Sequence, residues 1–241
     1  MAFITSIIRQ MNQGYTAPYL CQADDGHKYI VKGLSTTYKG LIYEWVCGKL
    51  GQSIGLPIPD CEIVYIDSAL LEYDNYALTE GEWFASQYIE NIQDITFNLL
   101  DNVDSEQLKL LFLFDYWIKN ADRTLTNKGG NPNLFIKGDL ETCIVLDHNL
   151  AFDPDYDDLY DQTKMLHVGS TAWFSTQTKL LTPLDKEKYQ TLLENSLDQL
   201  EYITSFIPEE WLANCEDNGI LNYIRATLSR INAPDFWEGI R

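Results

Sequence analysis

The chain carries Asn120-Ala121-Asp122-Arg123, then Asn131-Pro132-Asn133-Leu134-Phe135-Ile136, then Ile144-Val145-Leu146-Asp147. Together these stretches set an Asp, an Asn and a second Asp along two apolar runs joined by short turns. Asp122 follows an apolar stretch and opens a polar segment that continues through Thr126, Asn127, Gly129 and Gly130. A loop leaving a rigid helix presents a side chain to substrate while its neighbours stay fixed. The runs 134–136 and 143–146 read as strands of a hairpin that turns at Lys137-Gly138-Asp139. Its ends bring Asn133 and Asp147 together as oxygen ligands for Mg²⁺. A carboxylate that orients a hydroxyl, plus an amide and a carboxylate that hold magnesium, is the donor set of phosphoryl transfer. Singly each is an ordinary turn residue; the ordered set points to chemistry.

Upstream, Tyr19-Leu20-Cys21-Gln22 and Tyr29-Ile30-Val31-Lys32 flank Asp24-Asp25-Gly26, a β-hairpin pattern. Leu41, Ile42, Trp45, Val46 and Leu50 recur at helical spacing, and Gly55-Leu56-Pro57 ends that helix. Residues 62–66, 76–78 and 84–89 read as further strands. Lys32 closes a strand and Glu44 lies on the helix, the pair of types that hold nucleotide phosphates in kinase sites. Asn12-Gln13-Gly14-Tyr15-Thr16 can form a turn over phosphates, without matching either Gly-rich nucleotide motif.

From Asn91 the pattern becomes helical. Asp104 and Ser105 cap an apolar helix over 106–119. A long helix follows Thr182-Pro183, with Asp185 near its start and Tyr189, Leu192, Leu193, Leu197 and Leu200 as its stripe. Pro208-Glu209-Glu210 opens another, and 220–231 forms a last one. A β-rich part followed by a helical part predicts an α+β, two-lobed body: one domain over 1–241, with a β-rich lobe at 1–90 and a helical lobe at 91–241. The cleft belongs between the lobes, near Glu90.

A formal charge of −19 argues against a nucleic-acid surface and against docking on anionic membranes. The five cysteines are scattered with no C-x-x-C pair, so neither a zinc site nor a disulfide framework is expected. No stretch reaches membrane-spanning length, no signal peptide is evident, and the expectation is a cytoplasmic protein. Asp153, Asp155, Asp157, Asp158 and Asp161 suggest a calcium loop but lack its Gly and its final Glu, and read as a solvated loop. His27, His148 and His167 lack metal-ligand spacing; His148 either orients the turn at Asp147 or is structural. Ser170-Thr171 and Ser175-Thr176 are candidate self-phosphorylation positions.

The order Tyr29-Ile30-Val31-Lys32-Gly33, Tyr43-Glu44-Trp45, Gly55-Leu56-Pro57-Ile58-Pro59, Phe84-Ala85-Ser86-Gln87-Tyr88, Asn120-Ala121-Asp122-Arg123-Thr124, Asn131-Pro132-Asn133-Leu134 and Leu146-Asp147-His148-Asn149 resembles the small HipA-like kinases, more distantly the phosphatidylinositol kinases. The likeness runs from about Gly14 to Asp153. It implies a kinase-like fold and ATP-dependent phosphoryl transfer with Mg²⁺ to a hydroxyl-bearing acceptor, a protein or a small molecule. It makes Asp122 the base, beside Arg123, and Lys32 the phosphate lysine with Glu44 as partner. Gly14 lies in the phosphate turn, and Gln87, Tyr88 and Ile89 in the adenine hinge. Asn133 and Asp147 become metal ligands, with Asn131 a competitor and Asn127 at the Asp-to-Asn spacing of ordinary kinases. A catalytically silent nucleotide- or partner-binding module, and AMP transfer on the same scaffold, stand as alternatives. The chain is shorter than full HipA, and no antitoxin partner is implied.

Overall fold

Short, mostly buried runs build the first half into strands that close on themselves. The computed structural model describes residues 1–11, 16–72, 76–175 and 183–240. Strands β1 (Ala2–Gln10), β2 (Tyr19–Ala23), β3 (Lys28–Val31), β4 (Cys61–Ile66) and β5 (Gly81–Gln87) form a closed barrel in the order β1-β2-β3-β5-β4. Its pairs are antiparallel except β1 with β4, which run parallel with Ala2 opposite Val64. Closure leaves no free sheet edge. The expected hairpin is β2–β3, and Gly26 in its turn has φ +86°, a left-handed conformation that favours glycine.

Helix α1 (Thr37–Ser53) crosses between β3 and β4 and is buried on most of its surface, from Gly40 through Gly51 apart from Lys49. A helix apolar all round is an interior helix. Here the covering layer comes from the far end of the chain. Helices α5 (Pro183–Leu197), α6 (Leu200–Thr204) and α7 (Glu209–Asn214) pack on α1. Trp45 Nε1 donates to the Ile203 carbonyl at 2.8 Å, Ser53 Oγ to Ser196 Oγ at 2.6 Å, and Tyr38 hydroxyl to Glu210 at 3.2 Å. Trp211, fully buried, donates Nε1 to the Glu82 carbonyl on β5 at 2.8 Å.

The second half is built around α2 (Ser105–Trp117), whose first turn is capped by Asp104 accepting from Glu106 N at 3.1 Å. Strands β6 (Ile92–Asp94), β7 (Leu134–Lys137) and β8 (Cys143–Val145) form a small antiparallel sheet, β7–β8 being the expected hairpin. Helices α3 (Tyr156–Thr163), α4 (Ser170–Phe174), α8 (Ile220–Leu228) and α9 (Pro234–Gly239) complete the body. Cys21, Cys47, Cys61, Cys143 and Cys215 are all free and buried. Among the described residues no helix is long and apolar enough to cross a membrane.

Several expectations need correction. Residues 76–78 are not a strand: Ala77 N–H is taken by the Tyr19 hydroxyl at 2.9 Å, a side-chain bond in place of a ladder. The helical half opens with β6, a short strand too polar to show periodicity. The strand expected at 84–89 runs from Gly81 to Gln87. Helix α2 ends before Lys119, which turns to φ +53°. Leu200 belongs to α6, and α9 follows the helix expected to be last. The acidic run is solvated as expected but holds α3 in place of a loop, and its Asp157 pairs with Lys119 at 2.5 Å and Arg230 at 3.5 Å. Thr176 and Thr182 lie outside the described residues.

Candidate active site

The two halves meet at a cleft of about 1220 Å³, more than the roughly 300–1,000 Å³ of an ordinary small-molecule pocket. Lys32, Glu44, Asp122, Asn131, Asn133 and Asp147 all line it, as do Gln87, Tyr88 and Ile89, the residues expected at the hinge. Gly14 lies outside the described residues.

Lys32 follows β3 and is nearly buried. Its ammonium is paired with Glu44 of α1 and, at 2.8 Å, with Oδ1 of Asp147, 115 residues away. Glu44 also accepts the backbone N–H of His148 at 3.1 Å. One ammonium therefore serves two carboxylates. Burial opposes the lysine's charge, yet Glu44 and Asp147 together raise its pKa. Burial pushes the Glu44 carboxyl up to about 7 despite Lys32, with Asp147 adding to the rise. Burial also works against the Asp147 carboxylate, but Lys32 holds its pKa below the usual range. The buried His148 ring, its Nε2 without a hydrogen-bond partner among the described residues, is pushed down to about 3 by burial, with Arg123 adding to the fall.

Asp122 stands in the loop after α2. Oδ2 accepts Nδ2 of Asn131 at 2.7 Å and Nδ2 of Asn133 at 3.1 Å. Both amides commit their nitrogens to the carboxylate, which leaves each amide oxygen as a donor to a cation. Carboxylate and amide oxygens are the hard ligands magnesium prefers, so the set fits Mg²⁺. Asn133 is buried at the mouth of β7, whereas Asn131 is exposed. Asn133 and Asp147 have φ +42° and +64°, left-handed backbone at the two positions where the sequence expects ligands. Among the described residues no group of three or more His, Cys, Asp or Glu is gathered to hold a metal.

At the hinge, Gln87 N–H donates to the Asp60 carbonyl and Tyr88 N–H to the Lys28 carbonyl, each at 2.8 Å. These two donors are already engaged. No backbone partner for Ile89 N–H is found among the described residues.

The sequence profile of the HipA-like kinases matches residues 4–240. The chain belongs to the HipA-like kinase family. It is a kinase, with the α+β kinase-like architecture of a β-rich first part and a mostly helical second part. Its structure is similar to the crystal structure of the Helicobacter pylori proinflammatory kinase CtkA, with a TM-score of 0.54 and 13% identity, covering 98% of this chain and 95% of that one. At that identity the likeness concerns the fold alone. No curated protein matches the sequence.

Arg123 is placed differently from its neighbours in this HipA-like kinase. Its guanidinium is fully buried, with Nε on Asp115 at 2.7 Å and one terminal nitrogen on the carbonyls of Asn133 at 2.5 Å and Leu146 at 3.0 Å. It faces the interior behind the cleft. Asp115 carries no expectation from the sequence, Asn120 enters only as part of the 120–123 stretch, and His167 only as lacking metal-ligand spacing. The available signal was one carboxylate inside Phe112-Leu113-Phe114-Asp115-Tyr116-Trp117, since a charge in an apolar helix needs buried partners.

Proposed function

We propose that this HipA-like kinase transfers the γ-phosphoryl of ATP, with Mg²⁺, to a hydroxyl acceptor, a Ser or Thr side chain being the leading class. The supporting observation is the convergence of Lys32, Glu44, Asp122, Asn133 and Asp147 on one cleft. Asp122 orients the acceptor hydroxyl and takes its proton on Oδ1, because Oδ2 is occupied by two amides. Lys32, steadied by Glu44, holds the phosphates. Ile89 N–H reads the adenine edge. Asn133 and Asp147 hold the magnesium, which when bound offsets charge on the transferring group. Arg123 touches no reactant and instead keeps the ligand turns in place. Most of the rate gain then comes from positioning and preorganised charge. Incubation with γ-labelled ATP and a mixed protein acceptor tests the reading: labelled phosphate on protein is expected, and its absence under Mg²⁺ at any nucleotide concentration overturns it. Intact mass of the product separates phosphate from AMP.

A further inference from the structure

Behind the cleft, a single buried carboxylate gathers the groups that shape it. Asp115 lies near the end of α2 with its side chain inaccessible to solvent. Its Oδ2 accepts Arg123 Nε at 2.7 Å and His167 Nε2 at 2.8 Å, and its Oδ1 accepts Asn120 Nδ2 at 2.8 Å. The His167 tautomer follows from its other nitrogen. Gly169 N–H donates to Nδ1 at 2.9 Å, so Nε2 carries the proton it gives to Asp115.

Each partner then reaches the reacting groups. Asn120 Oδ1 accepts the backbone N–H of Asp122 at 3.2 Å. Arg123 holds the carbonyls of Asn133 and Leu146, and more loosely that of Asp147 at 3.5 Å. These are the turns whose left-handed Asn133 and Asp147 face the cleft. His167 lies on the segment after α3, which bridges back to Thr124, with Leu125 N–H on the Leu166 carbonyl at 2.8 Å.

We propose that Asp115 is a positioning residue for phosphoryl transfer: by fixing Asn120, Arg123 and His167 it sets the places of Asp122, Asn133 and Asp147 without touching a reactant. The inference rests on the kinase reading above. An ion pair serving stability alone has no need to direct the remaining guanidinium N–H groups at the carbonyls of the ligand turns. Here they go there.

Asp115→Asn alone leaves Arg123 buried without a counter-charge and lowers stability. It is therefore compared with Asp115→Asn/Arg123→Met, which removes that stranded charge. Calorimetric titration with a non-hydrolysable ATP analogue, in Mg²⁺ and in EDTA, reads the metal-dependent gain in affinity, and thermal unfolding reads the fold. The double variant is expected to recover part of the parent's midpoint, short of all of it because the Asn133 and Leu146 carbonyls lose their donor, and to keep the metal-free affinity. It still loses roughly tenfold or more of the magnesium-dependent gain, as disturbed outer contacts of a metal site do. Phosphate transfer drops by roughly 100-fold in kcat with acceptor KM unchanged. A double variant that keeps the parent's magnesium gain and kcat overturns the proposal. So does a loss that merely tracks the unfolding midpoint across both variants. If the parent itself shows no magnesium-dependent binding, the kinase reading fails first and this inference falls with it.

Discussion

Nδ2 of Asn133 lies 3.1 Å from Oδ2 of Asp122, the same oxygen that takes Nδ2 of Asn131 at 2.7 Å. Two amides thus compete for one role beside one carboxylate, and their surroundings separate them. Asn133 is buried, with its carbonyl fixed by Arg123 and by Leu146 N–H at 3.1 Å. Asn131 sits on the exposed side of the same loop. Asn133→Ala should weaken Mg-nucleotide affinity by roughly 10- to 100-fold, and Asn131→Ala by much less. Titrations of nucleotide with and without Mg²⁺ check this; the reverse ranking transfers the ligand role to Asn131.

Asp122→Asn and Asp147→Asn should both abolish phosphate transfer, but for different reasons. Losing a base costs roughly 10²–10⁴-fold while leaving nucleotide binding in place. Losing Asp147 removes a cation ligand and also one of the two carboxylates on Lys32. Only Asp147→Asn should therefore weaken Mg-ATP binding strongly. Label transfer and calorimetry on the same preparations read both effects, and full activity in either variant removes that residue from its role.

Glu44 gives the fold a pH dependence of definite sign. Burial pushes its carboxyl from 4.5 up to about 7. Between those values the folded protein keeps a proton that the unfolded chain has released. The contribution is therefore whole below about pH 4.5 and is lost as pH rises through about 7. It amounts to roughly 3 kcal/mol at most. Asp147 and Asp115 act in the opposite sense, but their lowered pKa values place their effect below this window. Relative to Glu44→Gln, the parent should lose thermal stability between pH 4.5 and 7. A parent-minus-variant difference that stays flat over that range contradicts the assignment.

Trp211 anchors α7 on the barrel through its indole N–H and a fully buried ring. Trp211→Ala should cost about 3–5 kcal/mol in urea unfolding. Trp211→Phe keeps most of the packing and forfeits a bond worth about 1 kcal/mol, plus the cost of leaving the Glu82 carbonyl unpaired. Equal losses in the two variants would place the anchor in the hydrogen bond and not in the ring.

Much of the site was legible because its residues sit at the ends of apolar runs, where turn chemistry and periodicity both speak. Lys32 after β3, Asn133 before β7 and Asp147 after β8 are of this kind. Strand β1 is not among the expected strands, although the β-branched run Ile4-Thr5-Ser6-Ile7-Ile8 is a strand signal. Asp115 and His167 are joined across 52 residues by folding alone, and no local pattern encodes such a pair. The parallel closure of β1 on β4 is likewise a tertiary outcome.

Because α5, α6 and α7 bracket α1 from outside, the carboxylate-bearing helix has no outward travel. The Lys32–Glu44 pair is thus assembled on a helix already packed from outside. Moving α1 outward would first have to break the Trp45–Ile203 and Ser53–Ser196 bonds.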